Sequence, residues 1–136
     1  GYGKLAEMLG KADVAKKYLA IAKEMAIKWE TMAKDGDHYK LTFDKAGTWS
    51  QKYNMVWDKV LDMGIFPKEI AEKEMAYYLT KNTKYGLPLD SRKTYTKSDW
   101  ILWTACMTDK PEEFKKIVLP VYTYANETNS RVPLCN

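Results

Sequence analysis

The sequence contains very little cysteine and histidine. Its 136 residues include two cysteines, Cys106 and Cys135, and one histidine, His38. Two cysteines are too few for a disulfide framework, and a single histidine excludes a Cys/His zinc cluster. We therefore expect no metal and no cofactor. We also expect Cys106 to be a buried, inert thiol on a helix and His38 to lie in a surface loop.

The sequence also lacks long apolar runs and blocks of like charge. Its purely apolar runs are far shorter than the ~18 residues of a membrane-spanning helix, and no charged start followed by an apolar stretch marks a signal peptide. The 22 Lys and Arg residues exceed the 18 Asp and Glu residues by four, and the lysines are spread along the chain. We therefore expect neither a membrane nor a nucleic acid among the partners.

The residues that are present are those of a folded globular domain. Hydrophobic residues make up 46% of the chain and charged residues 29%, which argues against disorder. A chain of this length fits one compact domain, so residues 1–136 are predicted to form a single domain. Aromatic residues reach 13%, with five Trp and ten Tyr. Some of these rings are expected to face a ligand or a partner.

Helical periodicity is clearest over residues 13–34. Large apolar residues recur there at steps of three and four: Val14, Tyr18, Ile21, Met25, Trp29 and Met32. A second stripe consists of smaller residues: Ala15, Leu19, Ala22, Ala26 and Ala33. Two adjacent stripes predict a helix with neighbours on two sides. Residues 2–9 indicate the end of a preceding helix, so the two helices are predicted to form an αα-hairpin.

A second hairpin is predicted from helix-start and helix-end signals. Residues 48–51, with the sequence TWSQ, fit a capping box before a helix that ends at Gly64. Pro67 suits the first turn of the next helix, which is predicted to end near Asn82. The buried stripe of this helix is predicted to consist of Ile70, Ala71, Met75, Tyr78 and Leu79.

A third hairpin is predicted near the carboxyl end of the sequence. Thr96 or Ser98 can cap its first helix, and Asp109 with Glu112 fits a capping box for its second helix. Pro120 is expected to kink or split that second helix.

The connections between hairpins, residues 37–48 and 85–96, are long. Alternating apolar and polar residues in the first predict a short extended segment. The length of the second is typical of functional loops. We therefore predict an all-α fold of consecutive αα-hairpins, either an open solenoid or an α/α toroid. Both connections are expected to emerge on one rim, where the rim loops of residues 37–53 and 85–100 form part of a pocket.

Ordered strings of residues along the chain indicate a family. They are DGDHY (35–39), TFDKAGTWSQKYN (42–54), WDK (57–59), YGLPLDSR (85–92), YTKSDW (95–100), NET (126–128) and RVP (131–133). Together they resemble the six-helical-hairpin domain of the glutaminase A family.

The resemblance implies an α/α toroid related to the six-hairpin glycosidases, in a secreted or periplasmic protein that hydrolyses L-glutamine. Family members begin before Gly1 and continue past residues 131–133. The chain is therefore expected to be a fragment, about half of a toroid, and inactive alone. The remaining domains of the full-length protein are its expected partners, and an exposed toroid edge is expected to favour a dimer.

Amide hydrolysis needs a nucleophile, donors for the oxyanion, an acid for the departing ammonia and charge partners for the substrate. As a hypothesis, Arg92 binds a substrate carboxylate, while Asp90 or Asp99 holds an ammonium or acts as base. Tyr95 and Ser91 then donate hydrogen bonds. In the alternative interpretation, the residues from Asp90 to Arg92 only tie the loop together through local hydrogen bonds.

A second cluster contains Trp49 and Lys52, which we predict to line a pocket for a small polar substrate, glutamine or glycan. The alternative assigns them, like Gln51 and Tyr53, to capping and the core.

Three functions from different classes are compatible with these residues. The first is part of an amidohydrolase, and the second is a glycan-processing or glycan-binding toroid. The third is a helical-repeat interaction scaffold. A carboxylate pair about 5–9 Å apart favours glycan hydrolysis, whereas an Arg facing an Asp across an amino-acid-sized pocket favours glutamine.

Overall fold

The structure is a computed structural model that describes residues 1–129. That part of the chain contains six α-helices and one two-stranded sheet. The helices are α1 (Tyr2–Met8), α2 (Ala12–Ala33), α3 (Val56–Val60), α4 (Lys68–Lys81), α5 (Ser98–Ala105) and α6 (Pro111–Glu127). The predicted all-α class is therefore confirmed. The RVP motif at residues 131–133 and Cys135 lie outside the described residues.

The first helical hairpin, formed by α1 and α2, is present as predicted. The two helices are so close that a Cβ atom added to Gly3 would lie 2.9 Å from Leu19 Cγ. The stripe of small residues on α2 is the covered one, with Ala15 and Ala26 buried. Neighbours were expected on both sides of α2, but Met25 in the stripe of large residues is 64% exposed. One apolar face of α2 is thus open in the described part of the chain.

Residues 34–39 form a tight β-hairpin that the sequence pattern did not indicate. Strand β1 (Lys34–Asp35) pairs antiparallel with strand β2 (His38–Tyr39), and Gly36 between them has a φ of +62°. Glycine adopts this left-handed conformation without steric cost, which suits a two-residue turn. The predicted extended segment is thus limited to β2, which pairs back onto the end of α2.

His38 is buried, so its predicted position in a surface loop is wrong. Its ring stacks on Tyr77 with 4.3 Å between ring centroids, and Nδ1 lies 2.9 Å from the Asp37 carboxylate. The β-hairpin turns this side chain towards α4, which the local sequence does not show.

The capping box predicted at residues 48–51 is absent because its side chains have other partners. The Thr48 hydroxyl donates to the Lys45 carbonyl oxygen at 2.6 Å, and the Gln51 amide is buried against the next connection. A 3₁₀ turn (Tyr53–Met55) leads into α3 instead. A cavity of about 360 Å³ lies between α3, α4 and the α5–α6 connection, so this second hairpin is splayed.

The third hairpin, formed by α5 and α6, is confirmed, but its predicted caps are wrong. The Thr96 hydroxyl accepts a hydrogen bond from Gln51, and Ser98 is the first residue of α5 rather than its cap. Asp109 forms an ion pair with Lys59 at 2.7 Å. The predictions for Thr96 and Asp109 failed because each of these side chains finds a partner that is distant in sequence.

Two further expectations about this hairpin are corrected by the structure. Helix α6 continues unsplit through Pro120 to Glu127. Cys106 follows α5 and is exposed, so the predicted buried thiol is wrong. None of the helices in residues 1–129 is both long and apolar enough to cross a membrane.

The main core draws on helices α3 to α6 and on both long connections. Its buried members are Trp49, Val56, Met75, Tyr78, Leu87, Ile101, Ala105, Met107 and Ile117. Because Trp49 and Leu87 belong to the connections, the core holds these two segments against the helices. Closure of the hairpins into a toroid stays a prediction.

Candidate functional site

The two long connections meet, as the sequence analysis expected. Ser50 and Asp90 face each other in an isolated antiparallel β-bridge. The Gln51 N–H donates to the Leu89 carbonyl oxygen at 2.8 Å, and the Ser91 N–H donates to the Trp49 carbonyl oxygen at 3.0 Å. These backbone hydrogen bonds place residues 49–52 beside residues 89–92. Segments that are about forty residues apart in sequence therefore form one wall.

A cavity of about 360 Å³ lies along this wall. Its lining residues are Trp29, Leu41, Ser50, Gln51, Lys52, Tyr53, Asn54, Met55, Phe66, Leu89, Asp90 and Arg92. Three predicted site residues, Lys52, Asp90 and Arg92, are therefore brought together. The cavity combines charged groups with the aromatic rings of Trp29, Tyr53 and Phe66, a mixture typical of small-molecule sites.

Asp90 and Arg92 form a bidentate ion pair within the second connection. Arg92 Nε donates to Asp90 Oδ1 at 3.0 Å, and Arg92 Nη2 donates to Oδ2 at 2.7 Å. The backbone N–H of Arg92 also donates to Oδ1 at 2.8 Å. The hydrogen bonds from Arg92, more than its charge, lower the pKa of the Asp90 carboxyl. This geometry contains the local loop tie that the alternative interpretation predicts, and it leaves the Arg92 side chain 63% exposed.

Lys52 is held by backbone and hydroxyl oxygens. Its Nζ donates to the carbonyl oxygens of Tyr39, Lys40 and Ser50 at 3.1 to 3.2 Å, and to the Ser50 hydroxyl at 2.9 Å. Burial lowers the pKa of Lys52, and the negative charge of Glu74 opposes that shift. An ammonium has three hydrogens, so four protein acceptors already occupy it. Lys52 thus joins the first connection to β2.

Sequence reasoning missed Glu74 and the polar role of Tyr78, two buried residues of α4 next to Lys52. Glu74 is fully buried, and its Oε1 accepts the Tyr39 N–H at 2.7 Å. Burial is the main cause that raises the pKa of Glu74. Helical spacing could have identified Glu74, because it lies four positions after Ile70 and four positions before Tyr78. It therefore occupies the buried stripe of α4.

The Tyr78 hydroxyl joins α4 to the first connection. It donates to the Ser50 carbonyl oxygen at 3.0 Å and accepts the Lys52 N–H at 2.9 Å. Burial and the nearby Glu74 charge raise the pKa of Tyr78 well above its usual value, so the hydroxyl stays protonated and available as a donor.

The other predicted site residues lie beside the cavity or away from it. Trp49 is buried in the core, with its ring 6.0 Å from that of Tyr77. The Ser91 hydroxyl accepts the Trp49 N–H at 3.3 Å, and Tyr95 is about half exposed. Asp99 is exposed in the first turn of α5, where its carboxylate accepts the Trp100 N–H. The roles of these residues in substrate binding or catalysis stay predictions.

The chemistry available at the cavity is therefore that of a charged binding wall. Among its described lining residues, Asp90 is the one carboxylate, and it already binds Arg92. Among the described lining residues, this wall therefore has no pair of carboxylates, which would favour glycan hydrolysis. It also has no Arg facing an Asp across the cavity, which would favour glutamine, because Arg92 binds Asp90 directly. Residues 1–129 contain no group of three or more His, Cys, Asp or Glu side chains that could hold a metal ion.

Known proteins resemble this chain over all or most of its length. The family model for the glutaminase A six helical-hairpin domain matches residues 1–136. A probable glutaminase of Arthroderma benhamiae is 30% identical over 159 residues, which covers 96% of this chain and 18% of that protein. Glutaminase A of Aspergillus oryzae is 32% identical over 105 residues, which covers 74% of this chain and 15% of that protein.

The chain thus spans less than a fifth of the length of these two relatives. No solved structure shows a significant match. The ordered strings noted in the sequence, the confirmed hairpins and the full-length family match agree with one another. The chain therefore belongs to the glutaminase A six helical-hairpin domain family.

Proposed function

We propose that this domain forms part of the substrate pocket of an amidohydrolase that converts L-glutamine to glutamate and ammonia. The observation that supports this proposal is the cavity wall that brings Lys52, Asp90 and Arg92 together, in a chain whose relatives are named glutaminases. In the reaction, water adds to the side-chain amide carbon, the C–N bond breaks, and the nitrogen leaves with an added proton as ammonia.

The three residues have different tasks in this proposal. Arg92 binds the α-carboxylate of glutamine, because its guanidinium is exposed at the cavity and keeps its charge at any physiological pH. Asp90 orients that guanidinium by its two hydrogen bonds. Lys52 holds the wall in place, since its ammonium is bound to protein oxygens. The general acid and base are supplied by other parts of a longer protein.

The test is ammonia release from L-glutamine by the full-length protein and two variants. Arg92→Ala is expected to raise KM by about 10- to 100-fold with a smaller change in kcat, because uniform substrate binding is lost. Lys93→Ala is the matched control, since Lys93 is the adjacent cation and is also exposed. Equal KM values for the two variants, with both folded, would remove Arg92 from the site. No ammonia from the wild type would refute the proposed activity.

A glycan is the second candidate substrate, because the rings of Trp29, Tyr53 and Phe66 also line the cavity. Aromatic faces pack well against the apolar faces of ligands, and the charged wall could then bind hydroxyl groups. The same preparation is therefore incubated with a panel of oligosaccharides. Release of reducing sugar without release of ammonia would favour the glycan function.

The open apolar face of the first hairpin supports a proposal about partners. Its exposed members are Tyr2, Leu5, Met8 and Leu9 of α1 and Tyr18, Ile21 and Met25 of α2. A monomer rarely exposes a large contiguous apolar surface, so we assign this face to further helical hairpins of the longer protein. Hydroxyl-radical labelling of the full-length protein tests this. Met8 and Met25 are expected to be protected, whereas labelling of both at the rate of the unfolded chain would show that the face is uncovered and would favour the scaffold alternative.

A further inference from the structure

We propose that Gln51 is the positioning residue of the candidate site, and that its side-chain amide holds the loop of residues 87–96 so that Asp90 and Arg92 face the cavity. This inference rests on the proposed function for its kinetic test only. Its structural basis, the set of hydrogen bonds around one buried amide, is independent of the substrate.

The Gln51 amide binds both ends of the loop at once. Nε2 donates to the Leu87 carbonyl oxygen at 2.9 Å and to the Pro88 carbonyl oxygen at 3.0 Å, where the loop begins. The Thr96 hydroxyl, where the loop ends, lies 3.1 Å from the same nitrogen, so three acceptors share its two hydrogens. Gln51 is 4% exposed, so water does not replace these bonds readily. Together with the backbone hydrogen bond from the Leu89 N–H to the Tyr95 carbonyl oxygen at 3.1 Å, this side chain closes the loop.

The other end of the amide is fixed by helix α5. The Thr104 hydroxyl donates to Gln51 Oε1 at 2.9 Å, and Thr104 is fully buried. This bond orients the amide, because the oxygen faces the hydroxyl and the nitrogen faces the loop. The loop is thus attached to a helix through a single side chain. Its register beside the first connection comes from the Ser50–Asp90 bridge.

The chemistry of this position requires an amide. Two carbonyl oxygens and one hydroxyl surround a nitrogen donor, and one hydroxyl donor faces an oxygen. An ionised carboxylate has no donor and would face the carbonyl oxygens of Leu87 and Pro88 with negative charge. A protonated carboxyl group restores one donor. Methionine has a similar length but leaves all these buried groups unpaired.

The hydrogen bonds of the Gln51 amide hold the loop residues that the candidate site needs. Residues 91–95 are exposed, so few packing contacts hold them. Arg92 pairs with Asp90, which belongs to the same loop, and this pair moves with the loop rather than anchoring it. If the Gln51 hydrogen bonds to the loop break, the Arg92 guanidinium is displaced from the cavity wall while the rest of the domain stays folded. Small displacements of a binding group are enough to weaken substrate binding strongly.

The test uses the full-length protein with Gln51→Glu and Gln51→Met, assayed with L-glutamine between about pH 8 and pH 5. At pH 8 both variants are expected to raise KM by about tenfold or more, with kcat changed by less than about threefold. As the pH falls, the KM of Gln51→Glu relative to wild type is expected to recover, because the carboxyl group regains a proton and a donor. Gln51→Met is expected to show no recovery.

Ile117→Val is the matched control, since Ile117 is a fully buried core residue of α6 that does not line the cavity. It lowers the melting temperature by a packing defect and is expected to leave KM unchanged. An equal rise of KM in Ile117→Val, or a wild-type KM in a folded Gln51→Glu at pH 8, would overturn the positioning role. If the Gln51 variants do not fold, Thr96→Val replaces them: it detaches the amide from one end of the loop only, so a smaller rise of KM is expected at pH 8, and an unchanged KM would overturn the role.

Amide hydrogen exchange without substrate separates this inference from the proposed function. Gln51→Glu is expected to exchange faster over residues 87–96 at pH 8 and to leave α6 unchanged. Unchanged exchange over that loop would overturn the role of Gln51, whatever the activity. A wild type that releases no ammonia would refute the proposed reaction, and the exchange result would then decide the role of Gln51 alone.

Discussion

Lys52 and Glu74 hold the same peptide segment from two sides. The carbonyl oxygen of Tyr39 accepts a hydrogen bond from Lys52 Nζ, and the N–H of Tyr39 donates to Glu74 Oε1. Both charged groups are largely buried, yet no direct ion pair joins them within the described residues. Strand β2 is thus fixed between α4 and the first connection, because Lys52 and Glu74 each bind the backbone of Tyr39.

Removal of the Lys52 ammonium should destabilise the protein markedly. Lys52→Met leaves several buried oxygens without a donor and Glu74 without a nearby cation, so we expect a loss of about 3 kcal/mol in the free energy of unfolding. Lys28→Met is the control, because Lys28 forms an exposed pair with Glu24 on α2 and should change stability little. Denaturant unfolding measures both. Similar small losses for the two variants would contradict the structural role of Lys52.

The buried carboxyl of Glu74 should make stability depend on pH in a defined direction. Burial raises the pKa of Glu74 above its usual 4.5. The stability that Glu74 contributes is therefore fully present when the pH is below its usual pKa. It is lost as the pH rises through the raised pKa of the native state. Glu74→Gln keeps an acceptor for Tyr39 and has no such loss. The melting temperature of the variant, relative to wild type, should thus increase from about pH 4 to pH 7, and a constant or falling difference would disprove this.

The Asp90 carboxyl should have the opposite dependence. Hydrogen bonds from Arg92 lower the pKa of Asp90 below its usual 3.8, so its contribution is present above that value. It is lost as the pH falls through the lower pKa of the native state. The melting temperature of wild type should exceed that of Asp90→Asn by a constant amount near neutral pH. This excess should start to shrink as the pH falls below about 4, and an excess that stays constant between pH 4 and pH 2 would contradict this.

The loop that contains Asp90 should also depend on the glycine before it. Gly86 has a φ of +136°, and a Cβ atom there would lie 2.8 Å from Ile101 Cδ1. Gly86→Ala combines backbone strain with overpacking, so we expect a loss of about 3 kcal/mol. Gly47→Ala is the control, because Gly47 has a φ of +73° but nothing within 4 Å of the added Cβ atom. Its expected loss of about 1 kcal/mol reflects backbone strain alone. Equal losses in chemical denaturation would show that Ile101 adapts.

Much of the fold could be predicted because helices depend on local periodicity. The helix predicted over residues 13–34 is α2 (Ala12–Ala33), and the buried stripe predicted for α4 includes Ile70, Met75 and Tyr78 as expected. The capping predictions failed for a different reason. A cap competes with every other partner that a polar side chain can reach, and the partners that Gln51 and Asp109 bind are far away in sequence.

The candidate site was predicted in part. The chain pattern indicated that the two connections would meet, and the structure brings Lys52, Asp90 and Arg92 to one cavity. Sequence reasoning predicted that Lys52 lines a substrate pocket, because no local signal shows that the carbonyl oxygens of Tyr39 and Lys40 bind its ammonium. Glu74 was overlooked for a different reason: its spacing places it on the buried stripe of α4, but a charged residue within a helix is usually exposed.

The sequence by itself determined the helical segments and the family, because periodicity and ordered motifs are properties of neighbouring residues. Only the tertiary structure decided which polar groups are buried and what each one binds. Gln51, Lys52 and Glu74 acquire their partners when distant segments pack together, and burial then makes each unpaired donor or acceptor costly. The position of the cavity follows from that packing, since its charged wall is assembled from two connections that share no local pattern.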